Sequence, residues 1–166
     1  MLTAKYIFKN LIFYIIAIIF TSFNICTIKI AGLQSVIASF DVVSIFYFAV
    51  FKNLFGLWFI FLLGIWGDAL SNNAIGISSL SYIVMVKFFQ VANSKLIIKE
   101  NFYQIWKQFS LFFAFILIIK WLLLSMIASN FYPVYKLLMQ LILTVSFYPI
   151  IHKFLDFFSK KITGEN

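Results

Sequence analysis

The ionisable residues that could carry chemistry in this chain are few, and the most informative of them interrupt or border apolar runs. Those residues are two acids and two lysines: Asp41, Asp68, Lys120 and Lys136. A charged side chain in apolar surroundings is costly unless an opposite charge or a hydrogen bond compensates it. The four residues therefore predict an ion pair in which Lys120 meets Asp41 or Asp68. The alternative is that Lys120 reaches toward the interface while Asp68 caps the turn at Ser71.

The residue types needed for catalysis or for metal binding do not form a recognisable set. The chain holds one His and one Cys, His152 and Cys26, and neither has the spacing of a metal site or of a nucleophile with its base. No GxSxG motif and no phosphate-binding glycine loop occurs. His152 and Asp156 are four residues apart and predict a local hydrogen-bonded pair. The sequence predicts a protein that is not an enzyme, with no catalytic residues, no metal site and no cofactor.

The composition places the elements that would hold these residues in a membrane. Apolar residues make up 64% of the 166 positions and charged residues 11%, so apolar runs follow one another with few polar gaps. A membrane-spanning helix needs roughly 20 predominantly apolar residues. The chain therefore predicts an all-α membrane protein, a polytopic bundle with a single integral membrane domain over residues 1–166.

Six transmembrane helices fit the hydropathy pattern, and five are the alternative. Only Lys52 and Asn53 separate the second run from the third, which predicts a tight hairpin or a second segment that is partly re-entrant. The predicted spans cover residues 6–28, 36–51, 54–70, 74–92, 107–128 and 133–158.

The lysines indicate how these spans are oriented. All 13 basic residues are lysines. With the N-terminus inside, ten of them fall at the inner side, and Lys29 and Lys136 lie near the outer side. Because positive residues accumulate in cytoplasmic segments, this bias predicts a multi-pass plasma-membrane protein with both termini cytoplasmic. It also accounts for the net charge of +8 without any nucleic acid partner.

The one longer loop in this arrangement, residues 93–106, is basic and lies on the inner side. Lys95 and Lys99 are four residues apart and Lys107 is eight further on, so the three share one helical face. Apolar residues between them predict a surface helix in the inner interface, attracted to anionic lipid. A specific cytoplasmic partner is the alternative.

Small residues concentrate in the third predicted span and at the start of the fourth. Gly64 and Gly67 precede a short polar turn, and Gly76 follows it. Small residues let membrane helices approach closely, which predicts packing of the third span against the fourth. A groove for a helix of another protein is the alternative. In the last span, Pro149 predicts a local loosening or kink of the helix.

The stretch from Gly64 to Tyr82 resembles the signature of the rod shape-determining MreD family. That signature is a glycine, three residues, Asp-x-Leu, a short small or polar turn, Leu/Ile-Gly, and a helix rich in small residues. Gly64, Asp68 and Gly76 stand at the matching positions. The segments 40–47 and 147–156, the latter with Pro149, resemble the second and last spans of the family. Ser39 and Phe40 stand where the family often has a proline.

This resemblance implies a fold and a function. Family members are similar in fold to the small substrate-binding subunits of vitamin transporters, which are six-helix bundles. They are bacterial inner-membrane proteins that bind MreC and belong, with MreB, RodA and a class B penicillin-binding protein, to the cell-elongation machinery. The resemblance therefore implies a non-catalytic scaffold that helps maintain rod shape and lateral peptidoglycan synthesis. It implies helix packing and partner docking for the matching residues.

A substrate-binding membrane subunit of a small-solute, vitamin-type transporter is the second hypothesis. The two acids and two lysines named first would then line a cavity at the outer face. A ligand that copurifies with the protein would favour this hypothesis, whereas a shallow apolar groove open to lipid would favour the scaffold.

Overall fold

The computed structural model describes the backbone of residues 2–23, 28–30, 33–36, 38–71, 74–93, 101–128 and 134–163. It describes the side chains of residues 11–23, 38–71, 74–91, 101–126 and 134–162. This part of the chain is helical apart from one short hairpin and the connections between elements, in agreement with the predicted helical class. The elements are α1 (Leu2–Ser22), β1 (Ile28–Ile30), β2 (Leu33–Val36), α2 (Phe40–Ile45), a π-helical segment (Phe46–Phe51), α3 (Leu57–Ser71), α4 (Ile77–Asn93), α5 (Phe102–Ala128) and α6 (Val134–Thr163).

Two helices in the described part of the chain are long and apolar enough to cross a membrane. They lie within α5 and α6, over Phe102–Met126 and Val134–Ile162. Large apolar side chains on the outer faces of both helices are exposed, among them Leu111, Ile118, Leu122, Leu138 and Ile142. Exposed apolar side chains of this kind are compatible with a lipid environment.

The other apolar helices are shorter. Within the described residues they cover Leu11–Ser22, Phe40–Phe51, Leu57–Ser71 and Ile77–Val91. A helix rises about 1.5 Å per residue, so 15 to 17 residues reach roughly 22–26 Å against a hydrocarbon core of about 30 Å. Within the described residues, only the last two predicted spans have both the length and the apolarity of a spanning helix, although α1 as a whole, at 21 residues, is also about as long as the hydrocarbon core.

The segment predicted as the second span forms the buried centre of the bundle. Every side chain from Asp41 to Val50 is buried. A segment that is apolar on all sides needs neighbours all round, and this one packs against α1, α4 and α6. Over 40–51 it rises at most about 18 Å, so its helical part alone does not span the roughly 30 Å hydrocarbon core.

A change of helix type accompanies the aromatic residues of this central segment. The N–H of Lys52 donates to the carbonyl of Tyr47, five residues back, at 2.9 Å. The ring of Phe46 lies with its centroid 5.2 Å from that of Phe112 and 5.4 Å from that of Phe109. Asn53 then ends the segment at φ 52°, in the left-handed region that Asn tolerates better than most residues.

Several predicted boundaries differ from the structure, most of all at the end of the first span and at the inner loop. The sequence predicts a first span that ends at Ile28, but α1 ends at Ser22 and Ile28 belongs to β1. There Ile28 pairs with Val36 in an antiparallel hairpin, an arrangement that β-branched residues favour. The predicted inner loop over 93–106 is also shorter than expected at both ends. Asn93 ends α4, and 102–106 already belong to α5, because no Gly or Pro interrupts the helix there.

Candidate functional site

The most connected polar group in the bundle is a chain of hydrogen bonds that joins three helices. Nζ of Lys120 on α5 donates to the hydroxyl oxygen of Tyr82 on α4 at 2.9 Å. Tyr82 in turn donates to Oδ2 of Asp41, in the first turn of α2. The ammonium also lies 4.6 Å from the centroid of the Tyr82 ring, within the range of a cation–π contact. A phenol therefore bridges the ammonium and the carboxylate.

Tyr82 was not among the residues predicted for this site. The sequence predicts that Lys120 pairs with Asp41 or Asp68, whereas the structure joins Lys120 to Asp41 through the Tyr82 hydroxyl. Tyr82 is fully buried, and a buried tyrosine hydroxyl usually finds a hydrogen-bond partner. The sequence feature that points to Tyr82 is its position at the end of the Gly64–Tyr82 stretch.

Asp68 has a different task, which is to cap α4. Its Oδ2 accepts hydrogen bonds from the N–H of Gly76 at 2.9 Å and from the N–H of Ser78 at 3.0 Å. These groups belong to the start of α4, where backbone N–H groups lack helical partners and a negative charge is favourable. Asp68 therefore ties the end of α3 to the start of α4, past the turn that follows Ser71. A cap at this turn is one half of the alternative that the sequence gives for Asp68; the other half, a Lys120 that reaches toward the interface, differs from the observed hydrogen bond of Lys120 to Tyr82.

Gly76 is required at this capped turn by its backbone conformation. Its φ of +103° lies in the region that side chains disfavour. No atom lies within 4 Å of the place that a Cβ would take, so the constraint comes from the backbone and not from crowding.

Gly64 is required for the opposite reason, namely crowding. A Cβ built on Gly64 would overlap the backbone of Ser79 and would lie 2.5 Å from its N and from its Oγ. In turn, the Ser79 hydroxyl donates to the carbonyl of Phe61 on α3 at 2.9 Å. The predicted packing of the third span against the fourth is thus observed, as a contact between α3 and α4 at Gly64.

Gly67 faces α1 and α2. A Cβ at Gly67 would lie 3.5 Å from Cγ2 of Thr21 and 3.9 Å from Oδ2 of Asp41, which are ordinary contact distances. Asp68 and Gly67 are neighbours in sequence but contact different parts of the bundle. Gly67 lies beside the carboxylate of Asp41, and Asp68 caps α4. We call Asp41, Asp68, Tyr82 and Lys120 the buried polar cluster.

A second polar group lies in the C-terminal half of α6. His152 and Asp156, predicted to pair with each other, bond elsewhere in the structure. Nδ1 of His152 lies 3.0 Å from the hydroxyl of Tyr148. Asp156 accepts a hydrogen bond from Tyr47 at 3.3 Å and forms an ion pair with Lys160 at 3.1 Å. Two of these contacts, Tyr148–His152 and Asp156–Lys160, have the same i, i+4 spacing as the predicted pair, and Tyr47 in the π-helical segment supplies one from a distant part of the chain.

Pro149 lies inside a continuous α6, and the structure shows how the helix accommodates it. Proline has no N–H, so the carbonyl of Val145 loses its helical donor. The indole N–H of Trp106 on α5 donates to that carbonyl at 3.0 Å. The hydrogen bond that proline removes is thus replaced from a neighbouring helix.

Of the four remaining predicted site residues, Lys136 and Lys107 lie on described helices. Lys136 is half-buried on α6, one turn before Gln140, whose amide donates to the hydroxyl of Ser39 at 2.8 Å. Lys107 is exposed on the first turns of α5. Lys95 and Lys99, predicted to contact lipid or a partner at the inner surface, lie outside the described residues.

Comparison of the chain with protein-family models, with curated proteins and with solved structures finds no match. The arrangement of the cluster must therefore be interpreted from its own geometry. Its hydrogen bonds connect α2, α3, α4 and α5 to one another, so that its first consequence is to fix how these helices pack.

Proposed function

We propose that this protein is a non-catalytic scaffold of the bacterial inner membrane, of the MreD type. In this proposal it binds an MreC-type single-span protein and, through a larger complex with MreB, RodA and a class B penicillin-binding protein, supports lateral peptidoglycan synthesis and regulation of cell shape. Anionic lipid on the inner side is a further partner.

The observation that carries the proposal is the resemblance of the Gly64–Tyr82 stretch to the family signature. The contacts of its residues support it, because each residue matched to the signature has a physical task in one hairpin. Gly64 admits the backbone of Ser79, and Asp68 caps α4 with Gly76 in the turn. The residues of the signature shape a helical hairpin, and none of their contacts involves a substrate. This is what we expect of a protein that binds its partners through its surface.

We further propose that the chain crosses the membrane six times with both termini cytoplasmic. The lysine distribution supports this orientation. The short helices α3 and α4 and the central segment 40–51 would then each cross with the help of their flanking residues. Cys26 is the only cysteine, so a single Cys26→Ser change gives a background for labelling. Cysteines introduced at the exposed positions Lys107 and Lys161 should react with an impermeant thiol reagent only from the cytoplasmic side.

A transport subunit is the second candidate, and the buried polar cluster is the observation that favours it. Polar groups at one depth of a membrane bundle often belong to a binding site. Here, however, Tyr82 and Lys120 bond within the cluster and Asp68 bonds to α4, which favours a packing role over solute binding.

A pull-down from native membranes, followed by mass spectrometry, distinguishes the scaffold from the transport subunit. A matched pair of variants locates the docking surface, because Leu80 on α4 and Leu138 on α6 are 52% and 56% exposed. We expect the wild type to recover an MreC-type protein, Leu80→Trp to lose it, and Leu138→Trp to keep it. Loss in Leu138→Trp alone would move the docking surface to α6. Recovery of ATPase subunits or of a bound small molecule, with no MreC-type protein, would replace the scaffold by the transport subunit.

A further inference from the structure

The last helix is longer than the core of a bilayer requires. α6 runs from Val134 to Thr163, which is 30 residues and about 45 Å at 1.5 Å per residue. A hydrocarbon core of about 30 Å takes up roughly 20 residues of a helix that crosses it, and a typical tilt of about 20° shortens the reach by only a few ångströms. If α6 enters the core near Val134, it leaves the core near Lys153. Its last turns, over 154–163, then lie at the depth of the lipid headgroups.

These last turns have one buried and one exposed face. Leu155 and Ser159 are buried and Ile162 is half-buried against the core, so this face packs on the bundle. Positions three, four and seven or eight residues apart share one side of a helix. The opposite side exposes two lysines and three aromatic residues, which we call the basic aromatic face: Lys153, Phe154, Phe157, Phe158 and Lys161.

The charge of this end of α6 is positive. Residues 150–163 hold three lysines, Lys153, Lys160 and Lys161, against the single carboxylate of Asp156, which leaves a net charge of +2. The carboxylate forms an ion pair with Lys160 at 3.1 Å and accepts a hydrogen bond from Tyr47. Lys153 and Lys161, both exposed, therefore carry most of the charge that an external anion would meet.

The phenylalanines favour a lipid surface over an acidic protein in the cytosol. Phe154 and Phe157 are 50% and 64% exposed, at the depth where α6 passes the headgroups. A membrane interface accepts aromatic rings at the boundary of the acyl chains while the ammonium groups of nearby lysines reach the headgroups. Anionic headgroups complement the charge of +2 on this end of the helix.

From these observations we infer that the basic aromatic face binds anionic phospholipid at the C-terminal end of α6. The ammonium groups of Lys153 and Lys161 contact the phosphate groups, and the rings of Phe154 and Phe157 lie against the upper part of the acyl chains. Lipid bound in this way fixes the depth of α6. The inference rests on the proposed crossing of α6, whereas the proposed cytoplasmic C-terminus decides only which leaflet supplies the lipid.

The experiment measures the preference of this face for one lipid over another. The full chain carries Cys26→Ser and Ile150→Cys, since Ile150 is 66% exposed and lies one turn before Phe154. The new cysteine is labelled with bimane, and the protein is reconstituted into nanodiscs of phosphatidylcholine. Quenching by brominated phosphatidylglycerol is compared with quenching by brominated phosphatidylcholine, and the comparison gives the relative association constant of the two lipids. We expect a preference for phosphatidylglycerol on the order of tenfold, since each lysine near an anionic surface contributes roughly a fivefold factor.

A double variant and a matched control test whether the preference belongs to this face. Lys153→Gln combined with Lys161→Gln removes two charges at exposed positions, so we expect the preference to fall to within about twofold of unity. Lys87 is exposed on α4, and Lys87→Gln removes a lysine charge away from α6. We expect this control to keep the preference.

Three results would overturn the inference. The first is equal quenching by the two lipids in the labelled protein. The second is a double variant that keeps its preference, and if that variant also loses a soluble acidic protein in the pull-down, the face binds that protein and not lipid. The third is an equal loss in Lys87→Gln, which would assign the preference to the overall charge of the chain. The nanodiscs contain no MreC-type protein, so failure of this inference is distinguishable from failure of the scaffold.

Discussion

The indole nitrogen of Trp106 lies 3.0 Å from the carbonyl oxygen of Val145 and donates a hydrogen bond to it. This carbonyl is the one that Pro149 leaves without a helical donor. The contact joins α5 to α6 at the turn where the backbone of α6 lacks a helical hydrogen bond. This structural role of Trp106 differs from the interfacial anchoring for which tryptophan is often found in membrane proteins.

A double-mutant cycle on Trp106 and Pro149 tests this replacement. Trp106→Phe keeps the ring and removes the donor, so we expect the free energy of unfolding to fall by about 1 kcal/mol. In a Pro149→Ala background the alanine N–H can serve Val145, and the same change should cost less. Denaturant unfolding of the four proteins in detergent gives the coupling energy. Equal losses in both backgrounds would show that the indole does not replace the missing donor.

Removing the hydroxyl of Tyr82 should separate Lys120 from Asp41. We expect Tyr82→Phe to lower the free energy of unfolding by roughly 1–3 kcal/mol, because two polar partners lose their bridge. Lys120→Met should also destabilise the protein, and the double variant should lose less than the sum of the two. Tyr135→Phe serves as the control, since Tyr135 is exposed. Unchanged expression and melting temperature in Lys120→Met would refute a stabilising role for the bridge.

The close approach of α3 to α4 predicts a sharp difference between two glycines. Gly64→Ala places a methyl group against the backbone of Ser79 and should destabilise the protein by about 1–3 kcal/mol, as overpacking does. Gly56→Ala should have little effect, because its Cβ would meet open space. Thermal unfolding of both variants in the same detergent measures the difference. If Gly64→Ala is as stable as Gly56→Ala, α3 and α4 can move apart to admit the methyl group without loss of stability.

The capped turn predicts that Gly76 and Asp68 act together. Gly76→Ala forces a side chain into a backbone region at φ +103° and should cost about 1–2 kcal/mol. Asp68→Asn keeps the shape but removes the charge at the N-terminus of α4, so a loss of about 1 kcal/mol is expected. Hydrogen exchange of the first turn of α4 provides a local readout, and it should accelerate in both variants. Unaltered exchange would indicate that the cap does not hold this turn.

Part of the site could be predicted from the sequence, because the residues concerned act within one hairpin. Gly64, Asp68 and Gly76 are separated by a few residues and a short turn, so their spacing already limits which groups can meet. The role of Asp68 as a cap follows from the local geometry of that turn. The resemblance to a family signature lies in the same stretch.

The residues that the sequence missed depend on contacts between distant segments. Tyr82 bridges Asp41, 41 positions away, and Lys120, 38 positions away. Trp106 serves a carbonyl 39 positions away. His152 has a possible partner four residues away on either side, and its hydrogen bond goes to Tyr148 and not to Asp156. The rings of Tyr47 and Phe51, which are distant in sequence, pack beside it.

The sequence by itself determined that this protein is helical, strongly apolar and built around a glycine-rich hairpin, because composition and short-range spacing are local properties. Only the tertiary structure decided that the second apolar run is the buried centre of the bundle and that a phenol joins Lys120 to Asp41. The physical reason is that many apolar helices can pack in several ways with similar burial. The neighbours of each helix are then chosen by shape and by a few hydrogen bonds, which hydropathy does not encode.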